Sequence, residues 1–347
     1  MKKIAYIELD THAEIASNFK DLTKNSEEFE VDFYLSEKIL KQLGLSQSDN
    51  VFHSSAANLL YQLSRKRYDL VIIGTVHRYF NVFNEVCTKY RTSVIVHNLN
   101  FSRLSKFYLF AKIFKKNFTY RLKLLLKEGL LEAPEIYKNA SHLLVLDENL
   151  ARENLKFLPV FYTRSQNNEK HSVFTVVIPG AVSQQRRDYR MIFSTIPAFP
   201  KNQRWEFVFL GKATGNELKS LQNLEHTKPE RVEIRYFTEK VNQREFDEWM
   251  EKADILWCPV QSETEFFSNP EIYGKTKMTG NIGDAIKYSK LAVVPEDYYS
   301  SFKFIIPQEK DIVRQFLALK EKHFDFEKKY SYDFVSRDLH QLLQAII

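Results

Sequence analysis

Short apolar runs alternate along this chain with longer segments in which apolar residues recur at helical spacing. In the first half, the runs are brief, bounded by polar residues and rich in valine, isoleucine or leucine. Such runs are typical of strands buried on both faces of a parallel sheet. They cover residues 4–9, 31–35, 70–73, 93–96 and 143–146. The segments between them predict helices, as at 11–22 and 149–155.

The same alternation restarts in the second half of the chain. Strands are predicted at 174–178, 206–210, 232–237, 255–258 and 291–294, and helices at 189–195, 216–223, 242–252 and 280–287. The third of these helices has a start signal, with Asn242 as N-cap and Glu245 three residues later. The repeated strand–helix order predicts an α/β protein with two doubly wound units.

A polar stretch at 162–171 is the best candidate for a linker between these units. It predicts a first domain at 1–165 and a second at 166–320, followed by C-terminal helices at 321–347. The chain has 347 residues, which suits two domains of about 150 residues each.

Cysteine usage and hydropathy indicate the cellular compartment in which the protein is expected. Cys87 and Cys258 are far apart, so neither a disulfide framework nor metal-type spacing is indicated. No apolar run approaches the ~20 residues of a membrane span. The first ten residues become acidic too soon for a signal peptide. We therefore expect a cytoplasmic protein that is at most peripheral on the inner face of the membrane.

One strand-to-helix connection, residues 179–189, combines a tight turn with two arginines. Gly180 permits the turn, and Arg186 and Arg187 precede the predicted helix. Guanidinium groups near a helix start can hold a diphosphate through bidentate hydrogen bonds. The alternative is an ordinary loop with solvated arginines.

A second polar segment, residues 269–281, follows the fourth strand of the second half. It contains a carboxylate, a tight turn, two lysines and a Thr-Gly pair at a helix start, namely Glu271, Gly274, Lys275, Lys277, Thr279 and Gly280. A hydroxyl and free backbone N–H groups at a helix N-terminus suit phosphate. The alternative is a capped helix with surface lysines.

These two segments resemble the nucleotide-sugar domain of GT-B glycosyltransferases, most of all family four of the carbohydrate-active enzymes (glycosyltransferase group 1). Gly180 matches the family's Gly-Arg turn, with Ala181 in place of the arginine. Arg187 falls at the position of the phosphate-binding lysine. The resemblance covers residues 174–299 and implies two Rossmann-like domains facing a cleft, with C-terminal helices packing near it.

The second segment matches the family's Glu-x-Phe-Gly motif at Glu271, Tyr273 and Gly274, which implies that Glu271 contacts the donor sugar. The family's second glutamate usually binds the ribose, and Thr279 stands in its place. Bacterial surface-polysaccharide enzymes have a similar Tyr-Gly-Lys-x-Lys-x-Ser/Thr-Gly run, which here ends at Gly280.

Further positions agree with the resemblance. Gly211 matches a Val-Gly loop, and Phe237 follows the strand where the family often packs its nucleobase. In the first half, the family commonly has a histidine near the reacting sugar carbon, and His97 takes that place. His12 and His77 also follow strands and compete for it. On the acceptor side the resemblance implies Asp10, Thr11 and His12.

The resemblance implies a glycosyltransferase that moves a sugar from a nucleoside-diphosphate sugar to a hydroxyl of a glycan or lipid-linked glycan, with retained configuration. The departing diphosphate needs fixed positive charge, which Arg187 and Lys275 or Lys277 can supply. No Asp-x-Asp motif lies in a suitable loop. Metal-independent chemistry without a cofactor is therefore expected.

The net charge of +6 is local, because residues 103–127 contain eight of the 50 basic residues and no acidic one. The rest of the chain has 42 basic and 44 acidic residues. On a helical wheel of this segment, Phe107, Phe110, Ala111, Phe114 and Phe118 form one stripe. A basic helix with aromatic residues suits an anionic membrane surface. The alternatives are a helix whose Phe stripe docks on the core and nucleic-acid binding, for which no motif is found.

The sequence is also compatible with three rival functions. A sugar-nucleotide epimerase of the same fold would need no acceptor. A two-domain sugar-binding protein would usually be exported, which the absence of a signal peptide disfavours. A catalytically inactive homologue is the third alternative, since Ala181 and Thr279 depart from the family pattern.

Overall fold

The computed structural model describes residues 1–164, 172–200 and 202–347. Of the predicted linker, residues 165–171 lie outside this range, and so does the predicted boundary between 165 and 166.

The first unit is a parallel sheet with helices on both faces. Its strands in the described residues are β1 (Lys2–Glu8), β2 (Phe29–Leu35), β3 (Val51–His53), β4 (Leu70–Ile73), β5 (Thr92–Ile95), β6 (His142–Val145) and β7 (Leu155–Phe157). Its helices are α1 (Ala13–Thr23), α2 (Glu37–Leu43), α3 (Leu59–Ser64), α4 (Phe80–Lys89), α5 (Leu99–Ser102), α6 (Lys106–Ile113), α7 (Phe118–Glu128) and α8 (Ala133–Asn139).

The second unit repeats this plan and adds a hairpin. Its strands are β8 (Phe174–Pro179), β9 (Trp205–Lys212), β10 (Val232–Phe237), β11 (Ile255–Trp257), β12 (Glu263–Phe266), β13 (Asn269–Ile272), β14 (Ala292–Val294) and β15 (Ile305–Pro307). Its helices and those of the tail are α9 (Tyr189–Thr195), α10 (Gly215–Thr227), α11 (Gln243–Lys252), α12 (Gly280–Lys287), α13 (Ile312–Lys320), α14 (Glu327–Tyr330) and α15 (Tyr332–Ile346).

Both sheets have the same strand order, which confirms the prediction of two doubly wound units. The first runs β3-β2-β1-β4-β5-β6-β7 and the second β10-β9-β8-β11-β14-β15. In each sheet, the strand order reverses between the first and fourth strands of the unit, which are β1 and β4 in the first sheet and β8 and β11 in the second. Ligands of such sheets bind beyond the carboxyl ends of the strands at this switch point. The loops after β1 and β4, and after β8 and β11, are therefore the expected ligand-binding loops.

The last helix returns to the first unit. Val335, Leu339 and Leu343 of α15 are buried in the same apolar cluster as Ile4 and Phe19. Their spacing of four residues places them on one face of the helix. The chain therefore crosses between the two units a second time and ends on the first unit.

The predicted helix at 149–155 is wrong. A short 3₁₀ turn at Glu148–Leu150 is capped by the Asp147 side chain, which accepts the Asn149 N–H at 2.9 Å, and the chain then enters edge strand β7. The segment is too short to form a helix when Leu155 can instead be buried beside β6. By contrast, the predicted cap of α11 is confirmed, since Asn242 accepts the Glu245 N–H at 3.0 Å.

The basic segment 103–127 contains two helices, α6 and α7, instead of one. The break lies at residues 114–117, where Asn117 adopts a left-handed conformation with φ of +50°. The core is contacted by Leu109, Ile113 and Leu124, all buried. Docking of the Phe stripe on the core is therefore wrong, because its phenylalanine side chains face solvent.

Candidate functional site

A cavity of about 290 Å³ lies between the two units, at the switch point of the first sheet. The first unit lines it with residues that follow β1, β4 and β5, and the second with the segment that leads into α12. The lining includes Thr11, His12, His77, His97, Lys277, Met278 and Gly280. Residues that are more than 180 positions apart in the chain thus share one cleft, as the resemblance implies.

Three histidines gather on the first unit's side of the cavity. The rings of His12 and His97 are stacked, with centroids 3.8 Å apart and planes 8° apart. His77 meets both rings edge-on, at centroid distances of 6.1 and 5.8 Å. They converge because their strands β1, β4 and β5 are neighbours in the sheet. From the sequence, His12 and His77 were alternatives to His97 for the position near the reacting sugar carbon. In the structure all three lie together.

Burial keeps these imidazoles neutral at pH 7. It lowers the pKa of His12 to about 4 and that of His77 to about 3, and the nearby positive charge of Lys277 acts in the same direction. The pKa of His97 is also lowered by burial. His97 Nε2 lies 2.8 Å from the Gly74 carbonyl oxygen, which orients the ring. A neutral, oriented imidazole can exchange hydrogen bonds with a sugar hydroxyl but supplies no fixed charge.

Glu8 shapes the loop that carries the predicted acceptor-side residues. Its buried carboxylate accepts the Thr75 hydroxyl at 2.6 Å and the backbone N–H groups of Asp10 and Thr11 at 2.9 and 3.2 Å. Burial raises the pKa of Glu8. Thr11 lines the cavity, whereas the Asp10 carboxylate turns toward Lys38 at 4.0 Å. The sequence signal that could have identified Glu8 is an acidic residue that ends an apolar strand.

On the second unit, the loop after β8 forms a close-packed cradle around one guanidinium. Gly180 has a φ of +105°, and a Cβ built there would lie 2.4 Å from Arg187 Nη2. A Cβ on Gly211 would lie 2.4 Å from the Gly180 carbonyl oxygen. Gly211 is therefore required by the close approach of backbone atoms, and Gly180 by its positive φ. Arg187 Nε is buried and has no hydrogen-bond partner among the described residues.

The N-terminus of α12 lies beside this guanidinium. Thr279 caps the helix by accepting the Asn281 N–H at 3.4 Å, and Asn281 Oδ1 accepts from Arg187 Nη2 at 3.5 Å. A Cβ built on Gly280 would meet nothing within 4 Å, so the helix start opens to free space. A helix N-terminus next to a guanidinium is a site for an anionic group.

The two predicted phosphate-binding lysines face different ways. Lys277 lines the cavity and donates to Asn98 Oδ1 of the first unit. Burial lowers its pKa, an effect that the Glu271 carboxylate opposes and the nearby positive charge of Arg186 reinforces. Lys275 is exposed and lies in a separate hollow with Tyr273. Of the two, Lys277 shares the cavity with the histidines.

Glu271 is fully buried at the contact between the units. Its Oε1 accepts the Phe101 N–H at 2.8 Å and its Oε2 accepts the Asn100 N–H at 3.2 Å. These donors belong to α5, which follows the strand that leads to His97. In this arrangement both carboxylate oxygens of Glu271 bind the first unit. Contact between Glu271 and a donor sugar stays a prediction, and it requires the two units to move apart.

The remaining predicted donor residues lie around the second sheet. Phe237 ends β10, where its carbonyl accepts the Ala213 N–H at 2.8 Å, one strand beyond the Gly211 loop. Gly274 has a φ of +76° and packs against Tyr299. Within the described residues, no group of three or more His, Cys, Asp or Glu side chains could hold a metal ion.

Comparisons with known proteins identify the fold. No protein-family model and no curated protein matches the sequence. Among solved structures, Anabaena HepE in complex with UDP-glucose is similar, with a TM-score of 0.57 at 12% identity over 99% of this chain and 100% of that one. The lipopolysaccharide outer core galactosyltransferase WaaB gives 0.56 at 12% identity, over 99% and 100%.

UDP-GlcNAc 2-epimerase from Neisseria meningitidis bound to UDP-GlcNAc is also similar, with a TM-score of 0.55 at 10% identity over 99% of this chain and 100% of that one. This chain has the GT-B fold, in common with these structures. Separately, none of the helices in the described ranges is both long enough and apolar enough to cross a bilayer.

Proposed function

We propose that this protein is a glycosyltransferase that takes a sugar from a nucleoside-diphosphate sugar. One observation carries the proposal, namely that Lys277 and the start of α12 on the second unit line the same interdomain cavity as three neutral histidines on the first unit. Arg187 lies beside this helix start, where its Nη2 donates to Asn281 Oδ1, and the helix start at Gly280 opens to free space. The HepE and epimerase structures, which contain UDP-sugars, support a uridine donor as the first to test.

Each group has a role in the proposed reaction. When the bond between the anomeric carbon and the diphosphate oxygen breaks, negative charge develops on that oxygen. Arg187, Lys277 and the N–H groups that begin α12 would stabilise it, with no reorganisation needed during the reaction. The acceptor hydroxyl forms the new bond to the anomeric carbon while its proton passes to the departing diphosphate oxygen, and we propose that configuration is retained.

The acceptor would approach from the first unit. We propose that Thr11, His12 and His97 orient a hydroxyl of a glycan or lipid-linked glycan against the donor sugar. Because the histidines are neutral, they can accept a hydrogen bond from that hydroxyl without first losing a proton. Asp10 belongs to the same loop and would contribute only after leaving Lys38.

Thermal shift with nucleotides tests the donor site. A ligand at 100 times its Kd should stabilise the folded protein by about 2.7 kcal/mol. We expect UDP to raise the melting temperature of the wild type and to have little effect on Arg187→Ala. The matched control is Arg190→Ala, which removes an exposed guanidinium three residues away. If Arg187→Ala responds to UDP like the wild type, the cradle does not bind the diphosphate.

The epimerase is the second candidate, since an epimerase is among the structures of this fold. Incubation of the protein with UDP-GlcNAc or UDP-glucose, without acceptor, separates the two. An epimerised nucleotide sugar would identify an epimerase. Sugar transfer that depends on an added glycan acceptor would identify a transferase.

A further inference from the structure

Helices α6 and α7 present a ridge of aromatic side chains to solvent. Phe107 is 78% exposed, Phe114 62% and Phe118 46%, and Phe110 is 45% exposed. Phe114 contacts Phe110 and Phe118, with ring centroids 5.6 and 5.7 Å apart, so the ridge continues across the break between the helices. We call these four residues the aromatic ridge. Exposed apolar clusters of this kind usually mark an interaction surface.

The fold does not need the aromatic ridge for its own stability, because the helices are anchored by their other faces. Leu109 and Ile113 of α6 and Leu124 of α7 are buried in the core of the first unit. The end of α7 is held by Glu128, whose carboxylate accepts from Arg78 Nε at 3.1 Å and from the Tyr79 N–H at 3.1 Å.

Three basic residues around the ridge contact the second unit. Lys112 Nζ donates to the Ser268 carbonyl at 2.8 Å, and Arg121 donates to the Ser268 hydroxyl at 2.9 Å. Lys116 pairs with Glu265 at 2.7 Å. These contacts hold the tip of the β12–β13 hairpin against the helices, so these residues are committed to the domain contact.

At the start of the segment, Arg103 is exposed and Lys106 pairs with Glu135 at 3.0 Å. Lys115, Lys123 and Lys127 are the free lysines of the segment. All three are exposed and none has a salt bridge among the described residues. Residues 103–127 contain no acidic side chain, and Glu128 is buried against Arg78. The segment that carries the ridge therefore also carries three lysines that no carboxylate of the described residues pairs with, and their positive charge complements an anionic surface.

We infer that the aromatic ridge and these three lysines bind the surface of a bilayer that contains anionic lipids. Phenylalanine rings are accommodated at the boundary between headgroups and acyl chains, and lysines reach the lipid phosphates around them. A second copy of the chain fits less well, because two such surfaces would bring like charges together. This inference does not depend on the proposed transferase activity.

The surface also lies close to the cleft. Phe266 of the hairpin contacts His77, with ring centroids 4.4 Å apart, and Phe101 at 4.8 Å. Because the same hairpin is held by Lys112 and Arg121, binding at the ridge would place a bilayer beside the histidine side of the cleft. A lipid-linked acceptor would reach the cleft from that bilayer.

Sedimentation with vesicles tests the inference on the full chain. The probes are vesicles of phosphatidylcholine alone and of phosphatidylcholine with phosphatidylglycerol. We expect binding only to the latter, and less of it as salt rises. In the variant Lys115→Glu/Lys123→Glu/Lys127→Glu, the partition coefficient should fall by at least about hundredfold, because the loss of each basic residue removes about a fivefold factor and the new carboxylates add repulsion. The control Lys219→Glu/Lys303→Glu/Lys322→Glu makes the same charge change at exposed sites of the second unit.

A second variant, Phe107→Ser/Phe114→Ser, tests the aromatic part and should weaken binding at every salt concentration. Melting temperatures and UDP binding should match the wild type in all variants, because the substituted side chains are exposed. The inference is overturned if the wild type ignores anionic vesicles at low salt, or if the control loses as much binding as the ridge lysines. It is also overturned if the ridge holds a dimer, which sedimentation velocity would detect as dissociation in the phenylalanine variant.

Discussion

Replacement of Gly180 by alanine tests whether the position of the Arg187 guanidinium matters for diphosphate binding. The new Cβ would lie 2.4 Å from Nη2 and 2.7 Å from Cζ of Arg187. To reach ordinary van der Waals distance, the guanidinium must move by about 1 Å. The φ of +105° is also a conformation that glycine alone adopts readily, so the substitution costs about 1–3 kcal/mol of stability.

The expected effect on binding is larger than a stability loss alone explains. Charge-assisted hydrogen bonds contribute about 1.5–3 kcal/mol, so a displaced guanidinium should weaken UDP binding about tenfold to hundredfold. Calorimetric titration with UDP measures this, and urea unfolding measures stability. Gly44→Ala is the matched control, because Gly44 has a φ of +62° and open space around its Cβ. It should lose stability without a change in Kd. Gly180→Ala with wild-type UDP affinity would refute the placement of the diphosphate at Arg187.

Two further predictions concern buried carboxylates. Glu271→Gln should lower the free energy of unfolding by about 1–3 kcal/mol, because its amide cannot accept both backbone N–H groups of α5. Glu263→Gln, at an exposed position of the same hairpin, is the control. An unchanged unfolding curve for Glu271→Gln would contradict the structural role. Burial, with the negative charge of Glu14, raises the pKa of Asp284 to about 7. A raised folded-state pKa means that stability present at low pH is lost as the pH rises toward 7. The Asp284→Asn side chain cannot ionise, so the melting temperature of this variant relative to the wild type should increase from pH 5 to pH 8. A difference in melting temperature that stays constant over this range would argue against the raised pKa.

Several elements of the site could be read from the sequence because they depend on local structure. The apolar runs predicted ten of the strands, and the residues that follow them predicted where the cleft is lined. Gly180, Arg187, Lys277 and His97 all lie at strand ends or at a helix start, positions that short-range patterns mark. The short edge strands β3, β7 and β15 were missed, because each has only one buried residue and so leaves no apolar run of buried positions. The equally short β11 and β14 are buried along their whole length and were predicted.

The sequence by itself determined the two doubly wound units, since buried parallel strands and amphipathic helices leave a regular pattern of apolar residues. Only the tertiary structure decided which polar groups meet. Glu271 binds amides 170 positions away, and Lys275 and Lys277 diverge because the turn at Gly274 has a left-handed backbone. The histidines are neutral because the assembled cleft removes them from water, and desolvation is a property of the folded chain that no local pattern encodes.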